Sequence, residues 1–173
     1  MSELKPIDCE ILFELMKNSR RSDRDLAKIL KVSQPTITRR RGILEKKGVI
    51  ENYTLIPKWV NLGYSLMAIT LVKVRVFTPG DHEARYQQVL QRGANWIISK
   101  PNILMAGGCR GVGVESFMIS IHKTYADFDE FMNDCRLKLG DLLEIVQFVL
   151  INLAGREVLK TFNPAHLTEA ETK

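Results

Sequence analysis

Three cysteines in 173 residues, Cys9, Cys109 and Cys135, are too few and too scattered for a disulfide framework or a Cys-x-x-Cys metal site, and they suit a reducing compartment. The three histidines, His82, His122 and His166, form no His-x-x-x-His pair, so neither a metal nor a cofactor is expected. No run approaches the roughly eighteen apolar residues that a membrane span needs. Met1-Ser2-Glu3-Leu4-Lys5 has no apolar core of a signal peptide, and the expected location is the cytoplasm. No motif presents a nucleophilic serine, and Asp127, Asp129 and Glu130 read as the solvated side of a helix, so no catalytic residue is assigned. Neither Gly-x-Gly-x-x-Gly nor a Gly-Lys-Ser/Thr phosphate loop occurs, despite the glycines between 107 and 113. What remains is 45% hydrophobic and 26% charged, an ordinary globular composition with enough apolar residues to bury a core.

The net charge of +5 is unevenly placed. Residues 1–58 carry the whole excess, while residues 59–173 are balanced. Within 17–58, 12 Lys and Arg face 4 Asp and Glu. A small basic module joined to a larger neutral one points to a reader of a polyanion fused to something else.

In the basic module, Ile7, Ile11 and Leu15, with Leu12 and Met16, make one apolar stripe and predict a helix over 6–17. Ser22 and Asp25 form a capping box before a second helix over 23–30, and Ser33 caps a third over 34–47 that Gly48 ends. Residues 49–56 are rich in β-branched and aromatic residues and read as a strand. Three short helices and a β extension make a winged helix-turn-helix. Ala27 lets the second and third helices approach, with Val32 and Ile37 filling the gap between them. With Ile37 facing the core, the step of about 100° per residue sends Arg39 to the opposite side. Gln34 suits adenine and Arg39 guanine, while Thr36 and Thr38 offer a hydroxyl or a methyl to base edges. Ser33, Arg40, Arg41, Lys46 and Lys47 are expected on phosphates, although Arg40 and Arg41 lie near the core margin, where a stem can lie over the core and snorkel.

These stretches carry a resemblance. Ile7–Leu12, Ser22–Val32, Ser33–Arg40, Leu44-Glu45, Gly48–Ile50, Tyr53, Pro57 and Gly63 resemble the N-terminal half of the Lrp/AsnC family of regulators. The resemblance implies that residues 22–41 are the helix-turn-helix proper. Three positions depart from the pattern. Lys31 stands where the family usually has glycine, Arg41 replaces a usual apolar residue, and Ile43 stands where a charge is common. Gly42 also weakens the third helix by about 1 kcal/mol relative to alanine. Together these imply a strained or altered turn and a slightly rotated third helix.

After a linker at 57–65 with Trp59 and Leu62 as anchors, residues 66–77 alternate as a strand. A turn at Thr78-Pro79-Gly80 precedes a helix over 81–91 and a strand region over 96–105 interrupted near Pro101. A glycine-rich turn is expected over 106–113, then a strand over 114–122, a Thr124-capped helix to 139 and a last strand over 143–153. The order is βαββαβ, ferredoxin-like. The fold class is therefore α+β, with residues 1–56 as winged helix-turn-helix, 66–162 as the ferredoxin-like domain and 163–173 as a loose polar tail. The resemblance continues here in element order. It implies an effector and oligomerisation domain that pairs chains into dimers through its sheets, with larger rings such as octamers built from dimers. It also implies an effector pocket at the hairpin, matched by Gly107, Gly108, Cys109, Arg110 and Gly111. The family's Gly-Asp-Tyr-Asp is absent there, so either Arg110 holds a carboxylate or the glycines serve only as an adaptable hairpin with positive φ, and Cys109 is the thiol to watch for reactivity.

The expected function is sequence-specific binding of double-stranded DNA at a pseudo-palindromic site, modulated by a small molecule such as an amino acid. Two alternatives stand beside it. One is a sirohaem-decarboxylase-like enzyme, against which Asn102–Met105 stands where a His-Asn-Tyr cluster is expected. The other is a metabolite sensor that binds no DNA.

Overall fold

The computed structural model describes residues 4–75, 82–155 and 158–169 and divides into two compact units. One unit comprises Met1–Ile56 with Lys160–Lys173, and the other Pro57–Leu159. The chain thus crosses between them twice.

In the first unit, α1 (Pro6–Lys17), α2 (Asp23–Leu30) and α3 (Gln34–Lys46) bury Ile11, Leu15, Leu26, Ile37 and Leu44 in a common core. These are the positions that helical periodicity selects, because only one stripe of each short helix is apolar enough to leave water. Asp8 in the first turn of α1 accepts the Lys5 backbone N–H at 2.9 Å, which anchors the start of the helix. Ser22 and Asp25 close the capping box of α2 in both directions, at 3.1 and 3.2 Å.

The expected strand over 49–56 is absent. Val49 and Ile50 donate to the Leu44 carbonyl, and the chain then runs on without a ladder, with Leu55 75% exposed. A strand needs a partner for its N–H and C=O groups, and the described residues of this unit contain none. The tail also differs from a loose end. Pro164–Glu169 forms a 3-10 turn packed on α1, and Thr168 is buried there.

The second unit holds a four-stranded antiparallel sheet in the order β2-β3-β1-β4, from β1 (Leu66–Val74), β2 (Ile103–Gly111), β3 (Val114–His122) and β4 (Leu143–Asn152). Helices α4 (His82–Ile98) and α5 (Tyr125–Leu139) complete the βαββαβ order. The core joins Ala68 and Met118 of the sheet to Trp96, Phe128, Phe131, Met132 and Cys135 of the helices. The expected turn at 78–80 and the start of the first helix lie outside the described residues. The expected strand from 96 is corrected, since Trp96–Ile98 is the last turn of α4, with Trp96 Nε1 donating to Asp134 at 2.7 Å. A short apolar run fits either period, and here packing selects the helix. The expected turn over 106–113 is corrected as well. Residues 106–111 are strand, paired with β3, and the chain reverses only at Val112-Gly113, both at positive φ. Pairing with β3 overrides the weak β-propensity of glycine.

His122 is buried against Phe128 and Phe131, with Ser120 Oγ 2.8 Å from its Nε2. Burial pushes its pKa below 6.5, while Asp127 pulls weakly the other way. Its contribution to stability is therefore complete above pH 6.5, where the unfolded imidazole is also neutral, and declines as the pH falls through the lower folded value. Urea titrations between pH 7.5 and pH 5 should show stability falling with pH, and His122→Phe should flatten that slope.

Candidate nucleic-acid interface

The turn between α2 and α3 sets where α3 points. Lys31 closes α2 in the left-handed region at φ 55°, and its N–H and that of Val32 both return to the Ala27 carbonyl. This is the helix stop that a glycine usually makes. Ser33 then caps α3, accepting from Thr36 N–H at 3.4 Å, with its Oγ 2.8 Å from the Thr36 Oγ1. Ser33 and Thr36, expected on phosphate and base, are thus joined to each other at the helix start. Thr38 Oγ1 donates to Asp23 at 2.7 Å, with the Gln34 carbonyl oxygen 3.1 Å away, so its hydroxyl is engaged within the protein.

The three consecutive arginines of α3 have three different surroundings. Arg40 turns inward and grips Asp8 with two hydrogen bonds, its Nε at 2.6 Å from Oδ1 and its Nη2 on Oδ2. The Arg40 guanidinium holds the Asp8 carboxyl below the usual carboxylate range, against the opposing effect of burial. Arg41 donates from Nε to the Tyr53 phenol at 2.7 Å and from Nη1 to Asp23 at 3.1 Å, while its guanidinium carbon lies 4.7 Å from the Tyr53 ring centre. Tyr53 in turn donates to Glu45 at 2.7 Å, and burial raises its pKa so that it keeps that proton. These bonds engage Nε and Nη2 of Arg40 and Nε and Nη1 of Arg41 within the protein. Arg39 lies between Thr38 and Arg40, exposed and without a polar partner among the described residues, as do Gln34 and Lys46. Lys47 is exposed beside Lys46.

Periodicity missed two features. Arg24, Lys28 and Lys31 form an exposed basic row opposite Leu26 on α2, and a helical wheel centred on Leu26 would have found it. The bonds from Tyr53 and Asp23 to Arg41 bring together residues up to 30 positions apart, and no local pattern signals them.

In the second unit, Gly107 and Gly108 line an apolar cavity of about 360 Å³ between α4 and the sheet. Cys109, Arg110 and Gly111 run on from them along β2 and do not line it. Cys109 is half-buried and Arg110 exposed towards the hairpin end. Among the described residues no cluster of His, Cys, Asp and Glu could hold a metal ion, and no helix is long and apolar enough to cross a membrane.

Residues 4–51 match the family model described as winged helix-turn-helix DNA-binding. An uncharacterized HTH-type transcriptional regulator of Pyrococcus abyssi is 36% identical over 89 residues, 51% of this chain and 58% of that one. The chain spans about half the length of the Pyrococcus relatives it matches. The HTH-type transcriptional regulator LrpC of Bacillus subtilis is 31% identical over 132 residues, 76% of this chain and 83% of LrpC. The chain belongs to the Lrp/AsnC family. The solved structure of B. subtilis LrpC matches with a TM-score of 0.66 at 26% identity, over 86% of this chain and 94% of that one. A transcriptional regulator of Neisseria meningitidis, solved as an L-Met complex, shares the fold with a TM-score of 0.76 at 19% identity, over 95% and 99% of the two chains.

Two of the three departures from the Lrp/AsnC pattern, Arg41 and Lys31, have physical readings. Arg41 in place of an apolar residue gains Asp23, Glu45 and Tyr53 as partners, and Ile37 and Leu44 stay buried. Lys31 in place of glycine keeps the left-handed turn at a steric cost. Lys31→Gly should therefore raise stability by about 0.5–1 kcal/mol, the relief of the left-handed strain less the extra chain entropy of glycine. A urea midpoint that moves down instead would mean that the lysine side chain stabilises the turn.

Proposed function

We propose that this Lrp/AsnC chain is a dimeric regulator that reads DNA sequence with α3 in the major groove. The observation that carries the reading is the isolation of Arg39 and Gln34. They are polar, exposed and unpartnered on a helix whose neighbouring arginines are pinned inward and sideways. Base-edge readers must keep their hydrogen-bonding groups free, whereas groups already satisfied within the protein would have to break bonds first. Arg39 pairs with guanine and Gln34 with adenine. Thr38 offers its methyl to thymine, and Thr36 stands beside them at the cap. Lys46 and Lys47 meet phosphates beyond the groove, and the Arg24, Lys28 and Lys31 row meets phosphates from α2, the helix that crosses the backbone in such motifs.

Dimerisation is supported by the second face of the sheet. Ile69, Leu71, Ile119, Met105 and Val149 share the face turned away from α4 and α5, and Met105 and Val149 are more than half exposed. An apolar sheet face of this kind is normally buried against another layer, and a second copy supplies one. Two-fold symmetry then requires a pseudo-palindromic site with half-sites about one helical turn, ~34 Å, apart or a multiple of it. Effector control by an amino acid held at Gly107–Gly111 between subunits is supported by the Neisseria relative, whose structure contains L-Met. Arg110 is the group that would take its carboxylate. The reading favours a regulator over an enzyme because the relatives found are named as regulators.

Titration of the full chain with duplex DNA tests the assignment. Arg39→Ala should cost roughly 1–3 kcal/mol and relax preference at one base position per half-site, while Lys46→Ala should lower the salt dependence by about one unit and weaken all sequences alike. A uniform loss across sequences for Arg39→Ala would make it a phosphate contact and move base reading elsewhere on α3.

A further inference from the structure

The cavity between α4 and the sheet is a space that the fold does not need. Its walls come from α4 through Gly93 and Ile97, from the sheet through Val72, Gly108 and Met118, and from α5 through Cys135. Its volume of about 360 Å³ falls within the size range of small-molecule sites. Three of its wall positions are glycine, and the one on α4 is the most telling. Glycine weakens a helix interior, and a Cβ on Gly93 would meet nothing within 4 Å. No close approach therefore demands glycine there, and what its missing side chain leaves behind is room. Leu90 and Ile98 also line the cavity, and they are 45% and 82% exposed, so it opens to solvent past an apolar rim.

The chemistry of the wall narrows the occupant. Among the described residues no charged side chain lines the cavity. The Ser116 hydroxyl already donates to the Gly107 carbonyl at 3.1 Å. Burial pushes the Cys135 thiol up to about 11, so at neutral pH it is a small apolar surface rather than a nucleophile. An ammonium or carboxylate placed here would lose its hydration without a partner, whereas hydrocarbon would gain contact on three sides.

We propose that the cavity between α4, α5 and the sheet is a binding site for a small, uncharged, predominantly hydrocarbon molecule, kept open by Gly93 and Gly108. It shares Gly107 and Gly108 with the amino-acid reading of the hairpin, but it lies within one chain and offers a charged ligand no partner among the described residues. Because Gly107 and Gly108 lie on the path to the β2–β3 hairpin, an occupant would also bear on that element.

Titration of the full chain, labelled with ¹³C at its methionine methyls, with isobutylbenzene and separately with L-leucine tests the site without recourse to DNA. Isobutylbenzene should shift the Met118 resonance saturably, and L-leucine should leave it in place. Gly93→Leu, which fills the space from the helix side, should weaken isobutylbenzene binding at least tenfold without lowering the melting temperature. No saturable Met118 shift up to the solubility limit would overturn the proposal. So would an equal response to L-leucine, or undiminished binding by a folded Gly93→Leu. Should that variant not fold, the two wild-type titrations decide. None of these results bears on DNA binding, so the regulator reading stands or falls separately.

Discussion

Asp8 and Arg40 lock α1 to α3, and the outward face of α3 follows from that contact. A buried carboxylate is tolerable only when its oxygens are satisfied, and Asp8 has the Lys5 amide and both arms of the Arg40 guanidinium to satisfy them. A two-point contact of this kind fixes roll as well as distance. With Ile37 buried, Arg39 lies about 200° around the helix and faces away, and the Arg40 contact holds that roll in place. On the other side, Arg41 is held by Asp23, Glu45 and Tyr53, which ties α3 to the start of α2 and to the segment that follows α3. Three adjacent residues of one type thus have three surroundings: a lock to α1, a lock to α2 and the later segment, and an exposed position without an internal partner among the described residues.

The helices of the first unit were legible because each has a single apolar stripe, and the second and third also have a capping residue. Ser22 with Asp25, Ser33 and the 7, 11, 15 spacing leave few other arrangements. The division of labour among Arg39, Arg40 and Arg41 was only half legible. The wheel placed Arg39 outward and the other two at the core margin. It could not reveal that Asp8, 32 positions away, would claim Arg40. The strand expected over 49–56 failed for a related reason: β-propensity describes a surface suited to pairing and does not supply the partner. Lys31 shows a departure from family pattern absorbed by the backbone, since the left-handed stop persists without its usual glycine.

In the second unit the two misplacements share one cause. The run from Trp96 to Ile98 and the glycines from 107 to 111 were read from local composition, and long-range packing overruled both. Trp96 reaches Asp134 and joins the core through α4, and the glycines are drawn into a ladder with β3. Their small size remains significant, though for space beneath the helix rather than for a reversal of the chain. The sheet thereby has two unlike faces. One is covered by helices around a residual cavity, and the other is an open apolar surface suited to a second copy.

The measurement that bears most directly on the central claim is selection of bound fragments from random duplex DNA by the full chain, followed by titration of the selected duplex and a scrambled one at the same salt. If the Asp8–Arg40 lock turns a free reading face outward on each of two chains, the selected site will be a pseudo-palindrome preferred by at least ~10³-fold. Equal affinity for the two duplexes, falling together as salt rises, would contradict the account and leave a basic surface that binds phosphates alone.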